Sequence, residues 1–416
     1  MERAGHRLAA VGSAALVAAS VLAGCGSGDG GVTINVYKYP QENFQKIVDR
    51  CNDRADGYRI VYHKLPREAD GQREQLVRRL AAEDPGMDVL GLDITWTAEL
   101  AEAGWIREFT GPAKAAVEAG TLKTPLDTAR YEGRLYAAPD NTNVQLLWYR
   151  SDLVPTPPKT WDEMIEMGAQ LQREGKPGLV EAQGKQYEGL VVLFNTLVDS
   201  AGGRILDEDG TRAVVDDGAV KALEVLKGFA TSEVVDPSFA NFAEDDARLA
   251  MENGKAAFQL NWPFVYAAAQ DKGPEFAANF KWAPFPSIDG GDARVTVGGV
   301  NFAVSAFSPH PEQSFDAVTC LRDAESQKFA AINDGVPPSI ESVYRDPEMA
   351  EPYPMREAIL ETLKNASVRP RTPAYQNVST VISTVLSPPS AIDPAATADR
   401  LRRELQDALD SKGVLP

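Results

Sequence analysis

Histidine and cysteine are scarce in this sequence of 416 residues, which contains three of each. No group of these residues has the spacing of a zinc site, so a structural zinc module is excluded. The sequence also lacks the GxSxG motif of serine hydrolases, the P-loop of nucleotide-binding proteins and the HExxH motif of metalloproteases. We therefore expect neither a metal site nor a cofactor.

Positive charge is also in short supply. There are 42 Lys and Arg residues against 60 Asp and Glu residues, which gives a formal net charge of −18. This excess of carboxylates argues against a protein that holds the phosphate backbone of nucleic acid. Hydrophobic residues make up 44% and charged residues 25% of the chain, as in a soluble globular protein. The length favours two or three domains.

Long hydrophobic runs are missing except at the start of the chain. After the basic residues Arg3 and Arg7, an apolar stretch of about 17 residues leads to Cys25. Small residues before that cysteine resemble the bacterial lipobox, which predicts a signal peptide at 1–24, a lipid on Cys25 and a flexible linker at 25–31. The alternative is an ordinary secretory signal followed by an incidental cysteine. We expect an exported protein anchored by lipid at the outer face of the cell membrane.

Strand and helix patterns alternate along the rest of the chain. The apolar spacing predicts a strand at 32–36, a helix at 41–55, and strands at 58–62 and 87–92. Such alternation with short connections indicates an α/β fold with a parallel sheet.

The alternation resumes after Pro139. We expect a strand at 144–149, a helix at 161–171 and a strand at 295–304. A helix should follow, with Ala317 and Ala324 on one face.

Several local patterns resemble a known family. They lie at 88–104, 136–153, 254–263 and 298–301. Together they resemble the extracellular solute-binding proteins of ABC importers, in particular the maltose-binding-like class that takes up sugars. The stretches at 93–99, 141–143 and 369–370 are similar to those of the actinobacterial trehalose-binding lipoproteins.

The resemblance implies a two-lobe periplasmic-binding-protein-like fold with a hinge and a central ligand cleft. The first lobe would comprise 32–139 plus 299–336, and the second 140–298 plus 337–416. The pair Gly298-Gly299 suits a crossing between the lobes, or alternatively a tight turn. By resemblance, the protein is a monomeric receptor and not an enzyme. Its partners would be a small sugar and the ABC permease and ATPase subunits.

Four candidate ligand contacts belong to the first lobe and its crossing. Asp93 follows a buried strand at its carboxyl end, where open sheets bind ligands, although it could instead cap a helix. Gln41 and Glu42 follow the first strand at the same edge, or are simply surface residues at a helix start. Asn143 lies at the first crossing, where an asparagine could also merely form a turn.

Three further candidates belong to the second lobe. Trp262 could cover the apolar face of a sugar ring, or be a core residue. Glu244 resembles a ligand-contacting acid, although a solvated charge is the alternative. Arg369 precedes proline as in the family's sugar-binding arginine, and is preferred over Arg371. A guanidinium there could bind two hydroxyls at once.

The exported cysteines Cys51 and Cys320 are predicted on helices that the family fold brings together. A disulfide is favoured in an oxidising compartment, with two buried free thiols as the alternative.

A secreted glycosidase is the rival function, since paired carboxylates in a sugar cleft also hydrolyse glycosides. Asp93 and Glu244 would then be the acid pair. For a receptor, trehalose is the leading ligand, ahead of maltose, other α-linked disaccharides and glycerophosphodiesters.

Overall fold

A computed structural model describes residues 31–410. The predicted signal peptide, the predicted lipid attachment at Cys25 and the linker up to residue 30 lie outside the described residues. Among those described, the strands are β1 Val32–Lys38, β2 Tyr58–Lys64, β3 Val89–Asp93, β4 Arg130–Tyr131, β5 Arg134–Leu135, β6 Ala138–Pro139, β7 Leu146–Arg150, β8 Leu179–Glu181, β9 Ala256–Asn261, β10 Phe280–Ala283 and β11 Val300–Val304.

Helices are interspersed with these strands and dominate the last quarter of the chain. They are α1 Phe44–Asn52, α2 Ala69–Leu80, α3 Thr97–Glu102, α4 Gly111–Glu118, α5 Lys123–Thr128, α6 Trp161–Arg173, α7 Glu188–Ser200, α8 Asp217–Ala230, α9 Glu244–Glu252, α10 Phe264–Lys272, α11 Pro274–Asn279, α12 Pro311–Leu321, α13 Ala324–Asp334, α14 Glu341–Tyr344, α15 Arg356–Lys364, α16 Tyr375–Leu386 and α17 Pro394–Asp410. Short 3-10 helices lie at Phe239–Asn241, Pro347–Met349 and Pro389–Ala391.

The first sheet has the order β2-β1-β3-β11-β6. β1 is parallel to β2 and β3, whereas β11 runs antiparallel to β3 and β6. The sheet is therefore mixed, and not purely parallel as the sequence pattern predicts. A hydrophobic core covers this sheet and includes Ile34, Leu90 and Phe302 of the strands together with Phe44 of α1. We call the part built on this sheet the first lobe.

The second sheet has the order β10-β7-β9-β8, with only β8 and β9 paired in parallel. It has a hydrophobic core of its own, which includes Trp148, Phe194, Phe258 and Leu401. The part built on this sheet is the second lobe. The α/β two-lobe architecture predicted from the sequence is thus present, while the boundaries given for each lobe stay a prediction.

Three chain segments lie side by side where the lobes meet. The backbones of Asn143 and Gly298 exchange two hydrogen bonds of 2.9 and 2.8 Å. The backbone N–H of Thr142 donates to the carbonyl of Pro337 at 3.1 Å. These pairings join the segments around 142, 298 and 337 into a narrow connection, which we call the hinge.

Three predicted elements differ from the structure. The helix expected from 41 begins at Phe44, because the side chain of Asp334 accepts hydrogen bonds from Gln41 and Asn43 and holds this stretch as a loop. The strand expected at 295–304 begins only at Val300, because Gly298 forms an isolated pairing with Asn143 in the hinge and is not part of the sheet. The helix expected to carry both Ala317 and Ala324 is two helices, because Asp323 caps a new one at its N-terminus.

Cys51 in α1 and Cys320 in α12 are joined by a disulfide, with their Cα atoms 5.9 Å apart. The bond ties two helices of the first lobe across 269 residues of sequence. In the chain-entropy description, closing so long a loop stabilises the fold by about 5 kcal/mol.

Candidate functional site

A buried arginine of the second lobe reaches a carboxylate of the first. Nη2 of Arg369 lies 3.1 Å from Oδ1 of Asp93, and Nη1 lies 2.6 Å from Oε1 of Glu188. Asp93 is the last residue of β3, so the predicted position at the carboxyl end of a buried strand is confirmed. Arg369 follows a short stretch that pairs with Thr296 through Ser367. The guanidinium is therefore placed between two acids that come from different lobes.

Asp93 makes local contacts as well as this long-range one. Its Oδ1 accepts hydrogen bonds from the backbone N–H of Thr95 at 3.0 Å and from the Thr95 hydroxyl at 2.8 Å. The residue that precedes α3 as its N-cap is Trp96, so Asp93 stabilises the turn before the helix and does not cap it. One fifth of its side chain, 21%, stays exposed to solvent.

Glu188 holds Arg369 from within the second lobe. Besides the guanidinium, its carboxylate accepts hydrogen bonds from the hydroxyl of Tyr375, at 2.5 Å, and from that of Ser379. All four side chains of this cluster are buried. The sequence does not single out Glu188, because an acid in the first turn of a helix is usually an exposed partner of the helix dipole.

The charge on Arg369 is maintained despite its burial. Removal from water lowers the pKa of Arg369, but the carboxylates of Asp93 and Glu188 and the Tyr375 side chain more than offset this effect and leave the pKa above its ordinary value. Its Nε atom is buried and has no hydrogen-bond partner within residues 31–410. By contrast, the side chain of Arg371 is exposed.

Trp262 lies against the hinge. A Cβ atom placed on Gly298 would be 2.9 Å from Cη2 of the Trp262 ring, so the two can pack this closely only because position 298 has no side chain. The indole is half-buried and does not belong to the fully buried core. Asn143, which pairs with Gly298, has a buried Oδ1 atom with no hydrogen-bond partner among the described residues.

Glu244 opens α9 and faces the indole of Trp262 and the hydroxyl of Tyr187. The side-chain amide of Asn261 donates to its backbone carbonyl at 3.0 Å, which fixes the helix start beside β9. Burial raises the pKa of Glu244, and the nearby Tyr187 and Trp262 groups oppose that rise. The structure thus places Glu244 beside Trp262, whose ring lies against Gly298 where that residue pairs with Asn143.

Gln41 takes part in a buried polar network of the first lobe. Its Nε2 donates to Asp334 at 2.8 Å, and its Oε1 accepts from the ammonium group of Lys38. Lys38 in turn pairs with Asp140, at the start of the hinge, at 2.9 Å. The neighbouring Glu42 is exposed. Gln41 is thus engaged by protein groups, while the Glu42 carboxylate is accessible.

Two further ion pairs join the first lobe to the second, in addition to the Asp93–Arg369 pair. Nζ of Lys185 lies 2.6 Å from Oε1 of Glu68, and Nη1 of Arg67 lies 3.4 Å from Oδ2 of Asp245. We call these three ion pairs the seam. Apart from Arg369, its members are partly or largely exposed.

No cluster of three or more His, Cys, Asp or Glu side chains in the described part of the chain could hold a metal ion. Within the same residues, none of the helices combines the length and apolar character needed to cross a membrane.

Comparison with known proteins identifies the family. Residues 37–328 match the family described as bacterial extracellular solute-binding protein. The chain belongs to this family. A probable ABC transporter-binding protein of Deinococcus radiodurans is 30% identical to it over 371 residues, covering 83% of this chain and 88% of that protein.

Solved structures of solute-binding proteins have the same architecture. Maltose-bound MalE3 of T. maritima is 28% identical, with a TM-score of 0.84 over 90% of this chain and 99% of that one. A solute-binding protein of Thermotoga lettingae with bound α-D-tagatose is 21% identical and shows the shared fold alone, with a TM-score of 0.81 over 91% and 100% of the two chains. This solute-binding protein therefore has the two-lobe α/β fold that the sequence predicts.

Proposed function

We propose that the protein is the substrate-binding lipoprotein of an ABC importer, which captures a disaccharide between its lobes and delivers it unchanged to the permease. Trehalose is the first ligand to test, followed by maltose and other α-linked disaccharides. The observation that carries this proposal is the Asp93–Arg369 contact between the lobes, on a chain of the solute-binding family. The relative from Deinococcus radiodurans, named as a transporter-binding protein, supports the importer.

The chemistry of the contact suits a sugar hydroxyl. A hydroxyl both donates and accepts hydrogen bonds, so it can donate to the Asp93 carboxylate while accepting from the Arg369 guanidinium. A ligand that does so contacts both lobes at once, and such a ligand favours the closed state.

We assign the remaining ligand contacts to the groups around the hinge. Trp262 offers a half-buried ring face for the apolar side of a pyranose. Glu244 beside it, the unpartnered amide oxygen of Asn143 and the exposed Glu42 supply hydrogen-bonding groups. Gln41 would take part only after its bonds to Lys38 and Asp334 rearrange.

Titration calorimetry with a panel of sugars tests the proposal, and the variant Trp262→Ala tests the assigned site. The ring contributes about 0.5–1.5 kcal/mol beyond area burial, and burial adds a similar amount, so affinity should fall roughly ten- to a hundredfold. Trp105→Ala is the matched control. This half-buried tryptophan lies near the opposite end of β11, and its loss should leave affinity unchanged.

The sugar recovered after titration should be intact. Release of glucose from trehalose would identify a glycosidase and overturn the receptor proposal. A large drop in the melting temperature of Trp262→Ala with normal affinity would place the ring in the structural core instead.

Membrane attachment is tested separately. We propose that Cys25 carries the lipid, and expect Cys25→Ala to release the protein from the membrane fraction with its sugar affinity unchanged. Retention of that variant in the membrane would contradict the lipid anchor.

A further inference from the structure

A turn of the second lobe contacts the chain just after Arg369. It spans 205–214, and its two arms are joined by antiparallel backbone pairing. We call it the hairpin. At its tip Gly210 has a φ of 67°, and a Cβ atom built there would lie 2.6 Å from the carbonyl oxygen of Arg371. Only glycine accepts both this backbone conformation and so close a contact.

The contacted segment, 371–372, leads into the helix that holds Glu188. The carbonyl of Thr372 accepts a hydrogen bond from the backbone N–H of Tyr375 at 3.1 Å, so α16 begins directly after the contact. This helix carries the two hydroxyls that donate to Glu188, and Glu188 holds the guanidinium of Arg369. The position of 371–372 therefore affects Arg369 twice, through the backbone that follows it and through the acid that binds it.

The tip of the hairpin is fixed by its own hydrogen bonds. Oδ1 of Asp207 accepts from the backbone N–H groups of Thr211 and Arg212, at 2.9 and 3.1 Å. The backbone N–H of Gly210 donates to the carbonyl of Asp207 at 3.1 Å. Because these bonds close the turn on itself, the tip presents Gly210 to the neighbouring segment in a defined position.

Helix α17 anchors the base of the hairpin. Val215, directly after it, is a buried β-branched residue with a φ of 38°, a conformation that persists only where the surroundings impose it. Nε and Nη2 of Arg402 donate to the carbonyl of Val215 at 3.0 and 2.6 Å. The side chain of Gln406 accepts from the backbone N–H of Ala213 at 3.0 Å. Since α17 also packs against α16, one helix supports both the hairpin and the element that its tip adjoins.

We propose that the hairpin positions Arg369 for ligand binding, with Gly210 as the contact and Arg402 and Gln406 as the anchors. These residues act on the sugar through Arg369, so they are positioning residues. The inference rests on the proposed sugar-binding function. Binding groups must be held within roughly 0.5 Å of their productive geometry, so a small displacement of 371–372 should weaken sugar binding.

A single methyl group at the tip tests the proposal. Carbon–oxygen contacts lie at about 3.3 Å, so the new Cβ of Gly210→Ala should displace the Arg371 carbonyl by roughly 0.7 Å. Gly202→Ala is the matched control, because Gly202 has a φ of 70° and a Cβ atom there meets nothing within 4 Å. Trehalose and maltose are titrated calorimetrically into the full-length protein and both variants, well below their melting temperatures, so that only folded protein is compared.

The two glycine variants should differ in affinity. Gly202→Ala should bind sugar as the wild type does, since it bears only the cost of the left-handed backbone. Gly210→Ala should bind roughly tenfold more weakly, because Arg369 loses a charged hydrogen bond to the sugar or to one of its acids.

The anchor provides a second test, which also decides the matter if Gly210→Ala does not fold. Arg402→Met keeps the aliphatic stem but removes the donors to the carbonyl of Val215, and should weaken sugar binding about threefold or more. Arg402→Lys retains one donor group and should recover part of the loss. Arg400→Met is the control, since Arg400 is exposed on the same helix and pairs with Glu404, and affinity should stay unchanged.

Equal affinities of the two glycine variants would overturn the proposal. So would a lower melting temperature of Arg402→Met with normal affinity, because the hairpin would then only stabilise the lobe. In both cases sugar binding by the wild type leaves the proposed function standing. A wild-type protein that binds neither sugar defeats the proposed function itself, and this inference with it.

Discussion

At the scale of single residues, the site depends on how Arg369 is held. Its guanidinium is buried, and Glu188 and Asp93 neutralise it from opposite lobes. Removing one of these acids leaves buried donors without a charged acceptor, which costs more than losing an exposed ion pair. Glu188 thus acts on the ligand site through Arg369, which makes it a positioning residue.

Replacing Glu188 tests this dependence. Glu188→Gln should lower the free energy of unfolding by about 1–3 kcal/mol, because the guanidinium and the Tyr375 hydroxyl lose a charged acceptor while Asp93 still neutralises Arg369. Glu312→Gln is the control, since Glu312 is an exposed acid in the first turn of α12. Urea unfolding measures both. A loss below about 1 kcal/mol for Glu188→Gln would contradict the assigned role.

A second buried acid, Glu181 at the end of β8, has no such partner. Both of its carboxylate oxygens lack a hydrogen-bond partner among the described residues. Burial, with the nearby charge of Asp236, raises the pKa of Glu181 to about 8 from an ordinary value of 4.5, although Lys255 opposes the rise. The folded protein therefore retains this proton up to a pH at which the unfolded chain has lost it.

This difference predicts how stability depends on pH. Between about pH 4.5 and 8 the folded state binds one more proton at Glu181 than the unfolded state, so stability falls as pH rises, by up to about 1.4 kcal/mol per unit. Glu181→Gln mimics the protonated acid and should remove this part of the slope. Denaturant unfolding at pH 5 and pH 8 compares the two proteins. Equal pH dependence in wild type and variant would show that Glu181 is not the group responsible.

At the scale of elements, the hinge relies on a close approach of two chain segments. Gly299 has a φ of 134°, and a Cβ atom there would lie 2.7 Å from the carbonyl oxygen of Asn141. Both the backbone conformation and the contact exclude a side chain. The packing of the hinge therefore accounts for the glycine at position 299, while the crossing between the lobes at Gly298-Gly299 stays a prediction.

A pair of glycine variants separates these two effects. Gly273 has a similar φ of 124° but no atom within 4 Å of a built Cβ. Gly273→Ala should cost about 1–2 kcal/mol for the backbone conformation alone, and Gly299→Ala roughly 1–3 kcal/mol more. Thermal unfolding of both variants measures the difference. Equal losses would mean that the hinge segments can move apart without cost.

Local sequence patterns predict correctly those helices and strands whose bounds are set by neighbouring residues. The apolar run before Asp93 indicated a buried strand, and β3 ends at that residue. The predicted start of α1, residue 41, is three residues too early. The loop before the helix is held by Asp334, some 290 residues further along the chain. A helix boundary set by such a distant side chain leaves no pattern in the neighbouring sequence.

The same limit applies to the candidate site. The position of Asp93 at the carboxyl end of a buried strand selects that residue, and resemblance to the family selects Arg369; the structure brings the two into contact. Neither signal selects Glu188, whose contact with Arg369 spans 181 residues. The roles of the selected residues in ligand binding stay predictions.

At the scale of the whole molecule, the hinge and the three ion pairs of the seam are among the contacts that join the lobes. The pairs Glu68–Lys185 and Arg67–Asp245 have substantially exposed side chains, and such pairs contribute only about 0–1 kcal/mol each. These two exposed pairs therefore give the closed arrangement little advantage. A ligand that contacts both lobes should decide the balance between open and closed states.

Small-angle X-ray scattering of the protein with and without its tightest-binding sugar tests most directly whether the lobes close on a saccharide. The sugar is first chosen by titration, and one that does not bind serves as the control. We expect the radius of gyration to decrease when the binding sugar is saturating and to stay constant with the control. An unchanged radius at demonstrated saturation would contradict capture of the ligand by closure of the two lobes.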